Sequence, residues 1–218
     1  MNQQIKNIII DAFILLVVST IFVTVVNWGF ADLKKGKPQH PLTVAVLQQN
    51  LEEVKNELQK NPTEQVQFQD DNGRTSLMWV SYSYLDDPKL FDESQQNRIG
   101  IATELLKYSD TSIHMKDKDG WTALSWAAWS GLDTITSMLL DKGAEINLTD
   151  KNGYTPLMIA AVRGNHKIAS LLVAKNADAS IKNKFGQTAL DIAQSKEKEF
   201  SNEEKTNFTQ TISVLNTK

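Results

Sequence analysis

The side chains able to do chemistry are few and poorly placed for it. Three histidines occur, His40, His114 and His166, and none has a partner at metal-ligand spacing. Cysteine is absent, which removes disulfides, thiol nucleophiles and thiolate metal sites. Asp70-Asp71 and Asp86-Asp87 are paired carboxylates, but each pair lies in a stretch that reads as turn or loop, where solvated carboxylates are ordinary. No GxSxG, HExxH, phosphate-binding loop or GxGxxG is present. The residues therefore point to no catalytic site, no metal and no cofactor. The formal net charge of −3 comes without a basic stripe, so nucleic acid is not an expected partner. What remains is binding chemistry, carried by Trp, Tyr and Arg.

Those residues sit inside a repeat. Gly120, Gly153 and Gly186 stand 33 residues apart, as do Thr122, Thr155 and Thr188, then Leu124, Leu157 and Leu190, then Ala127, Ala160 and Ala193. Each glycine follows an Asp or Asn by three residues, as in a tight turn with φ > 0. Each threonine stands where a helix would begin and can cap free N–H groups, and Pro156 fits the first helical turn. Leu157, Ala160 and Ala161 share one helical face, Gly164 ends that helix, and Ile168, Leu171 and Leu172 form the apolar stripe of a second. One unit cannot bury its stripe alone, so the units must stack. The pattern DxxGxTxLxxAAxxG…LLxxGA at this period resembles the ankyrin repeat, a β-turn followed by two antiparallel helices. The resemblance implies an all-α ankyrin-repeat solenoid of stacked helix-turn-helix units with β-turn tips.

Five units are expected, at about 41–69, 70–116, 117–149, 150–182 and 183–218. The first is polar on its outer helix, through Glu52, Glu53, Lys55, Glu57 and Lys60, as suits a terminal cap. The last degrades but keeps Phe208, Ile212 and Leu215 as an inward stripe. In the second unit Gly73 lies 47 residues before Gly120, and the surplus falls at 84–97, YLDDPKLFDESQQN, which reads as an inserted surface loop with two apolar residues, Leu90 and Phe91. The His of the family's TPLH motif is replaced by Met78, Ser125, Met158 and Asp191, which removes a side chain that normally hydrogen-bonds the turn and puts the stability of individual turns in question.

Before the repeats, residues 12–31 form an uncharged, largely apolar run between Asp11 and Asp32, long enough as a helix to cross a bilayer. Its length favours one uncleaved transmembrane helix over a signal peptide with a small-residue site at Gly29-Phe30-Ala31. Residues 1–11 are then a short tail and 32–40 a polar linker. Lys34, Lys35 and Lys37 argue for a cytoplasmic repeat domain, whereas the commoner arrangement of an N-terminal span before a large soluble domain argues for an extracytoplasmic one, periplasmic in a bacterium; the expectation leans to the latter.

Ankyrin domains bind proteins with their turn tips and the exposed side of their first helices, which line a concave face. Carried over position by position, the resemblance puts Arg74, Tyr82, Trp121, Trp129, Tyr154 and Arg163 on that surface, residue types enriched in interface hot spots. The alternative for the tryptophans is that they pack on one another between units. Trp79 and Trp126 align with Ile159 and Ile192 and are expected to be core packing. The resulting expectation is a single-pass, non-catalytic, monomeric protein that holds a protein partner on its concave face. An inhibitor or immunity-type protein that blocks one enzyme is a narrower alternative. An enzyme with a site on the 84–97 insertion is one of a different class.

Overall fold

The computed structural model describes residues 40–82, 91–199 and 203–217. The expected transmembrane run at 12–31, its tail and most of the linker lie outside these residues. So does the first part of the 84–97 insertion. Among the described residues, no helix is long and apolar enough to cross a membrane.

The described elements are helices in two layers. Helices α1 (Pro41–Leu47), α4 (Ser76–Val80), α6 (Ala123–Ser130), α8 (Pro156–Arg163) and α10 (Ala189–Glu199) form one layer, each packed on the next in that order. The other contains α2 (Leu51–Lys60), α5 (Phe91–Leu106), α7 (Asp133–Asp141), α9 (His166–Ala174) and α11 (Glu203–Leu215), again in succession. A short helix α3 (Pro62–Gln67), not expected from the sequence, packs on α2. A 3₁₀ turn, Ser112–His114, leads out of α5's unit.

Four of the five first helices begin as their threonine dictates, while α1 follows His40 with no side-chain cap and Pro41 in its first turn. Thr75, Thr122 and Thr155 Oγ1 accept the backbone N–H three residues on, at 3.3, 3.2 and 3.2 Å. Thr188 and Asp191 cap reciprocally: Thr188 Oγ1 accepts from the Asp191 N–H at 3.2 Å, and Asp191 accepts from the Thr188 N–H at 2.8 Å. α6 and α8 end at Gly131 and Gly164, both left-handed. Leu124, Ala127, Ala128, Leu157, Ala160, Ala161 and Ala193 are all buried between the layers. The alanines let neighbouring first helices approach closely, so stacking and not any single unit makes the core.

Two expectations change. Residues 91–97, read as loop, are the first turns of α5. In the last helix Phe208 and Leu215 are buried as expected, but Thr211 takes the buried place between them and Ile212 is only half-buried. The Thr211 hydroxyl satisfies itself by donating to the Asn207 carbonyl at 2.8 Å, which allows a polar residue in that stripe.

Candidate binding face at the turns

Each of the four turns that open a unit at Asp70, Asp117, Asp150 and Asn183 is built on one carboxamide or carboxylate oxygen. Asp117 Oδ1 accepts the N–H groups of Asp119 and Trp121, both at 2.9 Å, while the Asp117 N–H donates to the Trp121 carbonyl at 2.9 Å. Asp70, Asp150 and Asn183 close their turns in the same way. The turns are then joined to each other. The Lys118, Lys151 and Lys184 N–H groups donate to the carbonyls of Asn72, Asp119 and Asn152 in the preceding turn, at 2.8, 3.0 and 2.9 Å.

The missing TPLH histidine is compensated one residue further along the helix. Trp79 Nε1 donates to Asp70 Oδ2 at 3.0 Å, and Trp126 Nε1 to Asp117 Oδ2 at 3.0 Å. The two tryptophans aligned with core isoleucines thus pack and also tie turn to helix, which corrects the expectation of weakened turns in those two units. In the fourth unit, whose aligned residue is Ile159, the Trp121 indole of the unit before approaches Asp150 and favours its charged form. In the fifth, with Ile192 at that place, the turn residue is Asn183, whose amide donates to Gln187 Oε1 at 3.2 Å. Burial pushes the carboxyls of Asp117 and Asp150 above their ordinary range, against the pull of the N–H groups they accept.

Five of the six residues placed on the binding face come together in one cluster. The Arg74 guanidinium lies between two indoles, 4.9 Å from the Trp79 ring centroid and 5.3 Å from that of Trp126. Tyr82 meets Trp126 edge-on at 5.1 Å. Trp126 contacts Trp121 at 4.7 Å, Trp121 contacts Trp129 at 5.7 Å, and Arg163 caps the Trp129 ring at 4.7 Å. The cluster runs from the second unit to the fourth. Tyr154 stands apart from these ring contacts, engaged with the side chain of Asn183, and burial raises the pKa of its hydroxyl.

The members differ in access. Arg74 is 6 % exposed and Trp126 8 %. Tyr82, Trp121, Trp129 and Tyr154 are half-buried, and Arg163 is exposed. Arg74 is therefore an interior strut between units, not an open contact residue. Packing of the tryptophans on one another, weighed above as the alternative, is what the geometry shows, and it leaves half-buried faces at the Trp129–Arg163 end.

Two further residues position the cluster without a clear mark in the sequence. Arg98, buried on α5, donates to the carbonyls of Val80 and Tyr82 and so fixes the end of α4 beside Trp126. Its only sequence signal is a charged residue amid a helical stripe. Asn165 donates to the Ala128 carbonyl at 2.8 Å and locks the third unit to the fourth behind the cluster. Of the histidines, His40 stacks on Phe68 at 4.1 Å, His114 Nδ1 lies 3.7 Å from Glu145, and His166 opens α9. Among the described residues, no group of His, Asp and Glu is arranged to hold a metal.

No curated protein matches this chain. The family model described as ankyrin repeats (3 copies) matches residues 93–150 and 138–202. That match spans just over half of the chain and covers the turns at Asp117, Asp150 and Asn183, the caps at Thr122, Thr155 and Thr188 and the alanine-lined helices α6 and α8, and the protein belongs to the ankyrin repeat family.

Proposed function

We propose that this protein is a membrane-tethered binding protein that captures a protein partner on its turn face and has no catalysis of its own. Ankyrin repeats are in general protein–protein interaction modules. The observation that carries the reading here is the Trp129–Arg163 end of the cluster: a half-buried indole capped by an exposed guanidinium with no hydrogen-bond or ion-pair partner among the described residues. Trp and Arg dominate interface hot spots, and these two are held by their neighbours before any partner arrives, so little side-chain entropy is lost on binding. Residues 12–31 support the tether through length and apolarity, and tethering raises the effective concentration of a nearby partner. The repeat domain is assigned to the extracytoplasmic side.

The test is capture by the full chain in neutral detergent, comparing wild type with Trp129→Ser/Arg163→Glu. A partner retained by wild type and lost from the variant, at unchanged helical signal, supports the reading; equal retention contradicts it. Protease digestion of the repeat domain in intact spheroplasts tests its side. Protection until lysis would place it in the cytoplasm.

A further inference from the structure

The turn tips carry a second pattern. Lys118, Lys151 and Lys184 recur at the repeat period, directly after the turn residues Asp117, Asp150 and Asn183. All three are exposed. Their backbone N–H groups are the ones bonded across to the preceding turn, so the three side chains project from equivalent places on one edge. None of the three ammonium groups has a carboxylate partner among the described residues. Lys55, Lys60, Lys107, Lys142, Lys175 and Lys196 are each paired with a carboxylate, whereas among the described residues Lys167, Lys182, Lys198 and Lys205 are not, so what sets the row apart is its alignment on one edge. The turn carboxylates do not neutralise the row either, because Asp117 and Asp150 point inward and are engaged by N–H donors. Asp119 is an exposed carboxylate within the row, and Asp71 lies at its N-terminal end. The free guanidinium of Arg163 adds a fourth cation on the same face.

We infer that the partner presents an acidic segment of protein in an extended conformation, laid along the tips of the third, fourth and fifth units with its carboxylates on Lys118, Lys151 and Lys184, and with flanking residues that reach along α8 to Arg163. This rests on the reading of the turn face as a protein-binding surface. The spacing fits. Packed helices stand about 8–10 Å apart, and an extended polyproline II chain rises about 3.1 Å per residue with three residues per turn, so every third residue returns to the same side about 9 Å along and meets a lysine. Charge complementarity across a rim steers encounter and fixes register. Nucleic acid is the poorer occupant, because three lysines interrupted by Asp119 on a chain of net charge −3 make a short footprint.

The experiment selects random peptides displayed on phage against the full chain in neutral detergent, with counter-selection on Trp129→Ser/Arg163→Glu. Hits are then measured on Lys118→Glu/Lys151→Glu/Lys184→Glu and on the milder Lys→Gln triple variant, each checked for wild-type helical signal. The expected hits carry Asp or Glu at every third position. They lose about tenfold in affinity on the Glu triple variant, less on the Gln variant, and weaken with added salt. Hits that depend on Trp129 and Arg163 but are neutral or basic, or that bind the Glu variant unchanged, overturn the acidic inference and leave the protein-binding reading standing. An absence of hits that depend on Trp129 and Arg163 overturns both. Binding of phosphatidylglycerol vesicles by wild type, lost in the Glu variant without acidic peptide hits, would assign the row to lipid headgroups and overturn the inference.

Discussion

The same repeat finishes its turns in two ways. At Gly73, Gly120 and Gly153 the turn faces the backbone of the next unit so closely that a Cβ would lie 3.1, 2.9 and 3.1 Å from its nearest atom. Each of these turns also hands a carbonyl to the unit that follows. At Gly186 a Cβ would meet nothing within 4 Å, no described N–H reaches the Phe185 carbonyl, and Phe185 is 56 % exposed. The local sequence signature is the same at all four, an Asp or Asn followed three residues later by glycine at φ near +80° (77, 87, 82 and 76°). The difference teaches that the glycine serves two separate needs. One is the left-handed backbone of the turn itself, and the other is room for a neighbour, which exists only where a neighbour stacks. The aromatic cluster follows the same division, concentrated in the stacked units and absent from the open turn.

That contrast can be broken at several points. Trp126→Ala should cost most, about 3–5 kcal/mol, because it empties the centre of the cluster, frees Arg74 and leaves Asp117 without its indole donor. Urea unfolding measures it. Gly120→Ala should come next, and it is best read against Gly186→Ala. Both force an L side chain into the left-handed region, worth about 1–2 kcal/mol, but only Gly120→Ala also collides with the Lys151 backbone, adding about 1–3 kcal/mol. Equal losses would remove the distinction between stacked and open turns.

A smaller effect concerns pH. The Asp117 carboxyl has a folded pKa raised above 3.8, chiefly by burial, so its proton stabilises the fold. That contribution is complete below the unfolded value and is lost as pH rises through the folded one. Asp117→Asn should therefore be more costly in acid than at neutral pH, read as a gap in urea midpoint that narrows as pH rises. Asp191, held below 3.8 mainly by the Thr188 N–H, runs the other way: its contribution is present at neutral pH and fades as pH falls through its folded value. Phe185→Ser should change stability least, by about 0.5 kcal/mol or less, because nothing packs on that turn.

The stacked turns were the legible part. Stacking imposes the same steric demands on every unit, so Gly120 and Gly153, Thr122 and Thr155, Ala127 and Ala160 recur at fixed places and announce the fold. The indole hydrogen bonds of Trp79 and Trp126 were hidden because alignment with Ile159 and Ile192 reports apolar size and not a ring N–H. The start of α5 was hidden because its first turns, FDESQQN, carry no apolar period and read as loop. Hydropathy favours Ile212 over Thr211 because it does not register a hydroxyl that bonds its own helix. Exposure within the binding face was the least legible. The six residues share equivalent positions in the repeat, and position does not say that Arg74 is closed in by two indoles while Arg163 stays open. The Lys118, Lys151 and Lys184 row is visible in the sequence, but the bonds from their backbone N–H groups to the preceding turn, which set the three on one edge, are not.

The most direct test of the turn face is site-specific photo-crosslinking in cells. A photoreactive residue is placed at Arg163, and for comparison at Ser170, an exposed position of α9 in the other helical layer. Binding at the turn face predicts a discrete adduct from position 163 and none from 170. An adduct from 170 alone, or the same adduct from both, would contradict it.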